Sequence, residues 1–331
     1  MTRGFFVDEV ERRLKGAPAV TRFAPSPTGY LHLGHVASAV HVWGLGRALG
    51  ARVLLRIEDH DRGRSRPEYE QALFADLAWL GLVHDNSELT YGVPSPYRQS
   101  EATAYYEQTL ARLGSKAQLY ACDCSRRLIA TAGEDRQATD PGRDQADADA
   151  TAELRYSGRC RTRGLALGTP GTGLRLVTPA GAACFVDLLL GEQVQEPARQ
   201  CGDLLLKDRH GNYTYQFAVV ADDLRHGVNL VVRGQDLTSS TGRQIQLARL
   251  LGRTEEPLFL HHPLLRDTAG RKLGKRFYAA AIAKRRDNGE SPEYVLGEAA
   301  YLVGLQSEPR PLTAEMLPEL YKNRREQWTP R

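Results

Sequence analysis

The stretch "GYLHLGH", residues 29–35, follows the proline-punctuated run "APSPT" (24–28) and sets His32 and His35 three apart, with Leu33 and Gly34 between them. Upstream, "AVTRFAPS" (19–26) reads as a strand running into a loop. Downstream, "HVASAVHVWGLGRALG" (35–50) carries apolar residues at helical spacing and stops at Gly50. The heptapeptide therefore lies where a strand-end loop feeds a helix. In doubly wound α/β folds that is where ligands sit, beyond the carboxyl ends of the strands. At i, i+3 on a first helical turn the two imidazoles share a side, and Gly34 lets a flat nucleotide approach the backbone. Such a pair is suited to holding phosphates and stabilising charge that develops during attack at one of them. Taken alone, it also reads as two surface histidines at a helix start.

Working outward, "ARVLLRIED" (51–59) is an apolar run of strand length that ends in acids. "SRPEYEQALFADLAWLG" (65–81) predicts a helix, with Ser65 and Glu68 as a capping box, Pro67 near its start and Gly81 closing it. "YRQSEATAYYEQTLARLG" (97–114) predicts another helix, and "AQLYACDC" (117–124) a strand entering a new segment. Alternating β and α units predict a doubly wound, parallel, Rossmann-like sheet with right-handed crossovers. Residues 131–151, "TAGEDRQATDPGRDQADADAT", have no aromatic or branched aliphatic residue and many acids, the signature of a solvated loop. "GLRLVTPAGAACFVDLLLGEQVQEP" (173–197) predicts a β-rich insertion. The strand–helix pattern then returns over residues 211–252, with Gly211-Asn212 as a tight turn. The expected division is a first catalytic half (18–118), an insertion (119–202), a second catalytic half (203–250) and a helical C-terminal region (251–331).

The totals bound the function without choosing it. The 331 residues are 41% hydrophobic and 25% charged, as in ordinary globular proteins. No stretch approaches the roughly 20 apolar residues of a membrane span. The N-terminus, "MTRGFFVDEVERRLKG", sets acids directly behind its apolar run and makes a poor signal peptide, so a cytoplasmic protein without membrane attachment is expected. A monomer is the expected state. A net charge of +4 permits nucleic acid without requiring it. Five cysteines are an odd number, and three fall between positions 122 and 160. In a reducing compartment that clustering points to metal more than to disulfides, the alternative being buried or reactive thiols. Cys184 and Cys201 read as small core residues.

Far downstream, "LLRDTAGRKLGKRFYAA" (264–280) places Lys272, Lys275 and Arg276 around Gly274. A glycine-spaced cationic loop can reach phosphates and neutralise a leaving pyrophosphate, although many basic loops are simply solvated. Together "HLGH" and "KLGKR" resemble the two signatures of class I aminoacyl-tRNA synthetases, in the right order and on opposite sides of an insertion. "KLGKR" lacks the serines of the usual pattern. "TRFAPSPTGYLHLGH" followed by "LLRIEDHDRGRS" is similar to the glutamyl-specific subgroup over about residues 21–275. That resemblance implies ATP with Mg²⁺ and L-glutamate as substrates, with His32, His35 and Lys275 catalytic and Gly34 and Lys272 joining them around ATP. It implies an amino-acid pocket of Arg22, Ala24, Ser26, Glu58, Tyr215 and Arg233. The chemistry agrees: guanidinium groups fork carboxylates, and Glu58 suits an α-ammonium. Tyr213 would share a strand face with Tyr215, so choosing between the tyrosines rests on the family's spacing.

Only 56 residues follow Lys275 in the 331-residue sequence, too few for a stem-contact region and an anticodon-recognition domain together. On this count the sequence resembles the shorter glutamyl-Q tRNA(Asp) synthetase family. The implied reaction places activated glutamate on the queuosine base at the wobble position, so the partner is the anticodon loop of tRNA(Asp). Single-stranded loops are where RNA bases can be splayed into a pocket. The alternatives are a glutamyl-tRNA synthetase charging a 3′ end, a nucleotidyltransferase of the same fold, or a non-catalytic RNA-binding relative. The same resemblance adds Tyr156 to Cys122, Cys124 and Cys160 as a structural Zn²⁺ site, one ion per chain, in the pattern Cys-x-Cys, Tyr-x-x-x-Cys.

Overall fold

A computed structural model describes residues 5–132, 154–265 and 281–322. Lys272, Gly274, Lys275 and Arg276, and the acidic stretch from residue 133 onward, lie outside the described residues. The first unit is β1 (Val20–Phe23), α2 (Leu33–Ala48) and β2 (Arg52–Leu55), preceded by α1 (Phe5–Arg13). β1 and β2 are parallel, with Val20 opposite Arg52 and Phe23 opposite Leu55. α2 is buried on almost every side, from Leu33 through Ala48. Two glycines permit this. A methyl group on Gly46 would come within 2.8 Å of Val53 of β2, and one on Gly44 within 2.8 Å of the Tyr321 ring. The helix is thus clamped between the sheet and the C-terminal helices.

Next come α3 (Pro67–Trp79), α4 (Thr103–Gly114), β3 (Leu119–Cys122) and α5 (Arg126–Ala132). The Ser65–Glu68 capping box does not form. α3 starts at Pro67, and Arg66 holds the cap position with no side-chain cap. Proline at the first helical position has no N–H to satisfy and fixes φ, so it moves the start downstream of Ser65. The Arg66 N–H instead donates to the Pro27 carbonyl at 3.0 Å, tying this helix to the loop that leads to the histidines.

The remaining strands are β4 (Gly173–Leu176), β5 (Ala183–Asp187), β6 (Gly191–Gln195), β7 (Leu204–Lys207), β8 (Leu230–Gly234) and β9 (Leu258–His262). The region read as one β-rich insertion is divided between two sheets. β3, β4 and β7 form an antiparallel sheet, whereas the β5–β6 hairpin joins β9 and β8 in the order β6-β5-β9-β8. β8 and β9 run parallel, as do β5 and β9, and β6 is the antiparallel edge. β1 lies beside β8, because the Asn229 N–H donates to Val20 O at 3.1 Å and Asn229 Oδ1 accepts from Val20 N at 2.8 Å. Apolar alternation identifies a hairpin but not the sheet it will join.

After the short α6 (Pro197–Gln200), α7 (Tyr215–Arg225) replaces the strand expected around Tyr215. Phe217, Val220, Ala221 and Leu224 repeat at helical spacing there, and Thr214 supplies the extended cap residue. α8 (Thr241–Leu250), α9 (Ile282–Asp287), α10 (Pro292–Leu302) and α11 (Glu319–Lys322) complete the described chain. The largest core joins α2, the parallel strands and α10, including Val40, Leu55, Leu260 and Ala299. No helix among the described residues is long and apolar enough to cross a membrane.

Candidate active site

His32 occupies the cap of α2 with an extended backbone, and its Nδ1 accepts from the Gly34 N–H at 3.1 Å. His35 answers it: the His32 N–H donates to His35 Nδ1, also at 3.1 Å. The rings lie 3.9 Å apart. The pair is a capping box built from imidazoles, in which each ring satisfies an orphan backbone donor of the helix start. Both Nδ1 atoms accept, so the hydrogen-bond network assigns the proton of each neutral ring to Nε2. Two N–H donors at a positive helix end result, suited to phosphate oxygens. Gly34 is part of this arrangement, since a methyl group there would lie 2.9 Å from His32 Cε1.

Around this helix start, the carboxyl ends of three strands deliver the residues expected to hold an amino acid. Arg22 is in β1, Glu58 lies just past β2, and Arg233 is in β8. Tyr215 arrives from the start of α7. The backbone N–H of Glu58 donates to Pro25 O at 3.1 Å, fixing the loop that carries half-buried Ala24 and exposed Ser26. Burial raises the Tyr215 phenol pKa, and the charges of Arg233, Glu58, Arg22 and Asp223 all act on it, so the four predicted residues share one neighbourhood. Tyr213 goes elsewhere. Its hydroxyl donates to Glu107 at 2.5 Å and its ring stacks on Phe217. Tyr213 lies before the cap residue, bridged to Lys207, whereas Tyr215 begins the helix, so the two share no strand face.

Two residues of this site were not anticipated. Arg56, 1% exposed, donates through Nη2 to Glu58 Oε1 at 2.9 Å and through Nη1 to Asp223 Oδ1 at 2.5 Å. Asp223 Oδ1 also accepts from Arg22 Nε at 3.0 Å. Burial opposes both charges. For Arg56 the surrounding Asp223, Glu58 and Asp222 outweigh it and raise the guanidinium pKa, while Arg22 and Arg56 hold the Asp223 carboxyl well below the usual range. The signals were present as a charge inside the apolar run "VLLRIED" and a paired acid in "VVADDL". Arg233 is held differently, by His261, Gln244 and Thr241.

Apart from this pocket, Cys122, Cys124 and Cys160 bring their sulfurs within 4.8 Å of one another. The Tyr156 hydroxyl lies 3.4 Å from Cys122 Sγ and 3.9 Å from Cys124 Sγ, and it accepts the Cys160 N–H at 2.9 Å. The position of Tyr156 depends on Gly202. That glycine has φ +68°, and a Cβ there would sit 1.8 Å from the Tyr156 carbonyl oxygen. Arg175 lies 3.8 Å over the Tyr156 ring and donates to Cys122 Sγ at 3.3 Å, and Arg163 donates to Cys160 Sγ at 3.5 Å. Three sulfurs and one oxygen converging with cations against them fit the donor set of a tetrahedral thiolate-rich ion. Cys201 is buried as expected, but Cys184 is exposed, because it points outward on β5.

Comparison with known proteins identifies the family. Residues 18–313 match the family of class I tRNA synthetases (E and Q), catalytic domain. A glutamyl-Q tRNA(Asp) synthetase of Symbiobacterium thermophilum is 41% identical over 303 residues, covering 89% of this chain and 90% of that protein. One from Deinococcus radiodurans is 38% identical, covering 90% and 94%. Glutamate–tRNA ligase 2 of Halorhodospira halophila is 36% identical, but the match covers 86% of this chain and only 56% of the ligase. Among solved structures, the glutamate–tRNA synthetase of Elizabethkingia anophelis superimposes with a TM-score of 0.73 at 25% identity, covering 94% of this chain and 68% of that one. The chain belongs to the class I tRNA synthetases of the glutamyl and glutaminyl type.

Proposed function

We propose that this enzyme activates L-glutamate with ATP and transfers it to the queuosine base at the wobble position of tRNA(Asp). The observation that carries the amino-acid assignment is the polarity of the pocket. Arg22 and Arg233 offer guanidinium forks for carboxylates, and Glu58, pinned by Arg56, offers an anion for the α-ammonium. A nucleotidyltransferase of the same fold has no use for that combination. The acceptor assignment rests on the relatives, which match the chain over nearly their whole length when they are glutamyl-Q synthetases and over 56% when they are glutamate–tRNA ligases.

In this reading the α-carboxylate of bound glutamate attacks the α-phosphorus of ATP, and the bond to pyrophosphate breaks. The Nε2–H donors of His32 and His35 stabilise the charge gathering on the phosphate oxygens. Lys272 and Lys275, outside the described residues, are assigned by their motif to the leaving pyrophosphate, and Mg²⁺ accompanies ATP to neutralise its phosphates. A hydroxyl of the queuosine diol then attacks the adenylate's carbonyl carbon, giving an ester and releasing AMP. Cys122, Cys124, Tyr156 and Cys160 hold one structural Zn²⁺.

The deciding experiment offers radiolabelled glutamate and ATP with two preparations of tRNA(Asp), one bearing queuosine and one guanosine at the wobble position. Label should enter only the first, in a bond cleaved by mild base. Labelling of a queuosine-free tRNA(Glu) with an intact 3′ end would instead make this a glutamyl-tRNA synthetase.

A further inference from the structure

Arg233 is held by three neutral groups. Its Nε donates to His261 Nε2 at 3.0 Å, Nη1 to Gln244 Oε1 at 2.7 Å, and Nη2 to Thr241 Oγ1 at 2.8 Å. A carboxylate stands one step behind. Asp187 Oδ2 faces the other ring nitrogen, His261 Nδ1, at 2.7 Å and accepts the His261 backbone N–H at 3.0 Å. Asp187 Oδ1 accepts the N–H groups of Leu189 and Leu190 at 2.9 and 2.8 Å. The side chains of Asp187 and His261 are both fully shielded from solvent. Arginine Nε can only donate, so His261 Nε2 must carry a lone pair. The imidazole proton is then on Nδ1, where Asp187 accepts it.

We infer that Asp187 and His261 are positioning residues for recognition of the substrate's side-chain carboxylate. Asp187 fixes the imidazole tautomer, and His261 fixes the orientation of the Arg233 guanidinium. The inference rests on the proposed amino-acid pocket, and within it takes Arg233 as the fork for that carboxylate. A carboxylate in the place of His261 would fix Arg233 equally well, but it would neutralise the guanidinium and compete with the ligand. A neutral imidazole orients the charge and leaves it available. Facing His261 are Asp187 from β5, Arg233 from β8, Thr241 from α8 and the adjacent His262, with Arg22 of β1 also acting on it. Burial lowers the His261 pKa, Asp187 opposes this, and the two arginines add to it, so the ring stays neutral at physiological pH.

The test measures glutamate KM and kcat in ATP–pyrophosphate exchange for His261→Phe, His261→Gln, Asp187→Asn and Arg233→Ala. Phenylalanine keeps the ring stacked on Phe259, whose centroid lies 5.9 Å away. Glutamine loses the ring but keeps an acceptor for Arg233. A positioning role therefore ranks glutamine above phenylalanine, and a packing role ranks them the other way. His261→Phe should raise KM about ten- to a hundredfold with kcat within about threefold, the mark of lost uniform binding, and His261→Gln should recover most of that loss. Asp187→Asn tests the tautomer without touching the ring. Its amide donates to His261 Nδ1, driving the proton to Nε2, where it faces the Arg233 N–H. It too should raise KM. An unchanged KM in His261→Phe and Asp187→Asn, with Arg233→Ala impaired, overturns the positioning role alone, as does phenylalanine outperforming glutamine. An unchanged KM in Arg233→Ala overturns the assignment of Arg233 and this inference with it.

Discussion

Arg22 and Arg56 meet on a single oxygen, Asp223 Oδ1, which lies 3.0 Å from one guanidinium and 2.5 Å from the other. Arg56 in turn grips Glu58, so a chain of alternating charges links a cationic residue of the pocket to its anionic one. Removing one member of such a buried network leaves uncompensated charge and costs about 3–5 kcal/mol. Asp223→Asn should therefore lower the unfolding free energy by that order in urea titrations and raise glutamate KM, because Arg22 and Glu58 lose their shared brace. A variant as stable as the parent would show that the two arginines find other partners.

The histidine pair gives a sharper separation of stability from activity. Alanine is a better helix former than glycine by about 1 kcal/mol, and losing the His32 cap costs about the same, so Gly34→Ala should leave thermal stability little changed. The new methyl group would sit 2.9 Å from His32 Cε1, forcing the ring away from the Gly34 N–H. Pyrophosphate exchange should fall about tenfold or more, as for other misplaced charge-stabilising donors. Full exchange activity in a correctly folded Gly34→Ala protein would detach His32 from the chemistry.

How much of this was legible in the sequence varied with the kind of interaction. The β1–α2–β2 unit could be read because its apolar runs differ in period and Gly50 ends the helix. The thiol cluster was legible because Cys122, Cys124 and Cys160 sit close along the chain. Asp223, Asp187 and His261 were not. Asp187 and His261 sit on strands and Asp223 in a helix, each serving a residue of another element, and an acid or imidazole in such a place reads the same whether solvated or buried. Tyr215 was placed on the wrong element, because family spacing fixes a position without fixing its secondary structure. The partner of the β5–β6 hairpin was invisible for a related reason, since alternation records which face is buried and not what buries it.

Asp76 predicts an unusual pH dependence. It is fully buried in α3, its Oδ1 accepts from Arg286 of α9 at 2.8 Å, and burial raises its pKa to about 6 despite that partner. The folded state thus holds this proton more tightly than the unfolded chain, whose ordinary aspartate titrates near 3.9. Between about pH 4 and 6 the native state binds more protons, so this group's contribution makes stability fall as pH rises through that window. Asp76→Asn cannot ionise and should flatten that slope. Denaturation curves at intervals from pH 4.5 to 7.5 check it, and parallel slopes in parent and variant would mean Asp76 is ionised throughout.

Zinc removal should reach the amino-acid pocket through one hydrogen-bonded path. Cys122 ends β3, which pairs with β4, and β4 pairs with β7. β7 holds the start of α7, because the Thr214 N–H donates to Leu206 O at 2.9 Å and the Thr214 hydroxyl to Leu205 O at 2.7 Å. Thr214 is the cap residue directly before Tyr215. With the ion bound, four ligands tie β3 to the Tyr156 segment, which Gly202 docks beside β7. Without it, three thiols and a phenol crowd together with no common partner, and the sheet loses its crosslink. Protein prepared without chelator should carry one zinc per chain by elemental analysis, and a Cys122→Ser, Cys124→Ser double variant should carry none. Stripping the metal should lower the melting temperature and raise glutamate KM, with ATP KM little changed, since His32 and His35 are built on α2 and not on this sheet. Zinc-free protein from a chelator-free preparation would remove the metal assignment. Zinc that can be stripped with no effect on melting or on glutamate KM would leave the ion bound but sever the path to Tyr215.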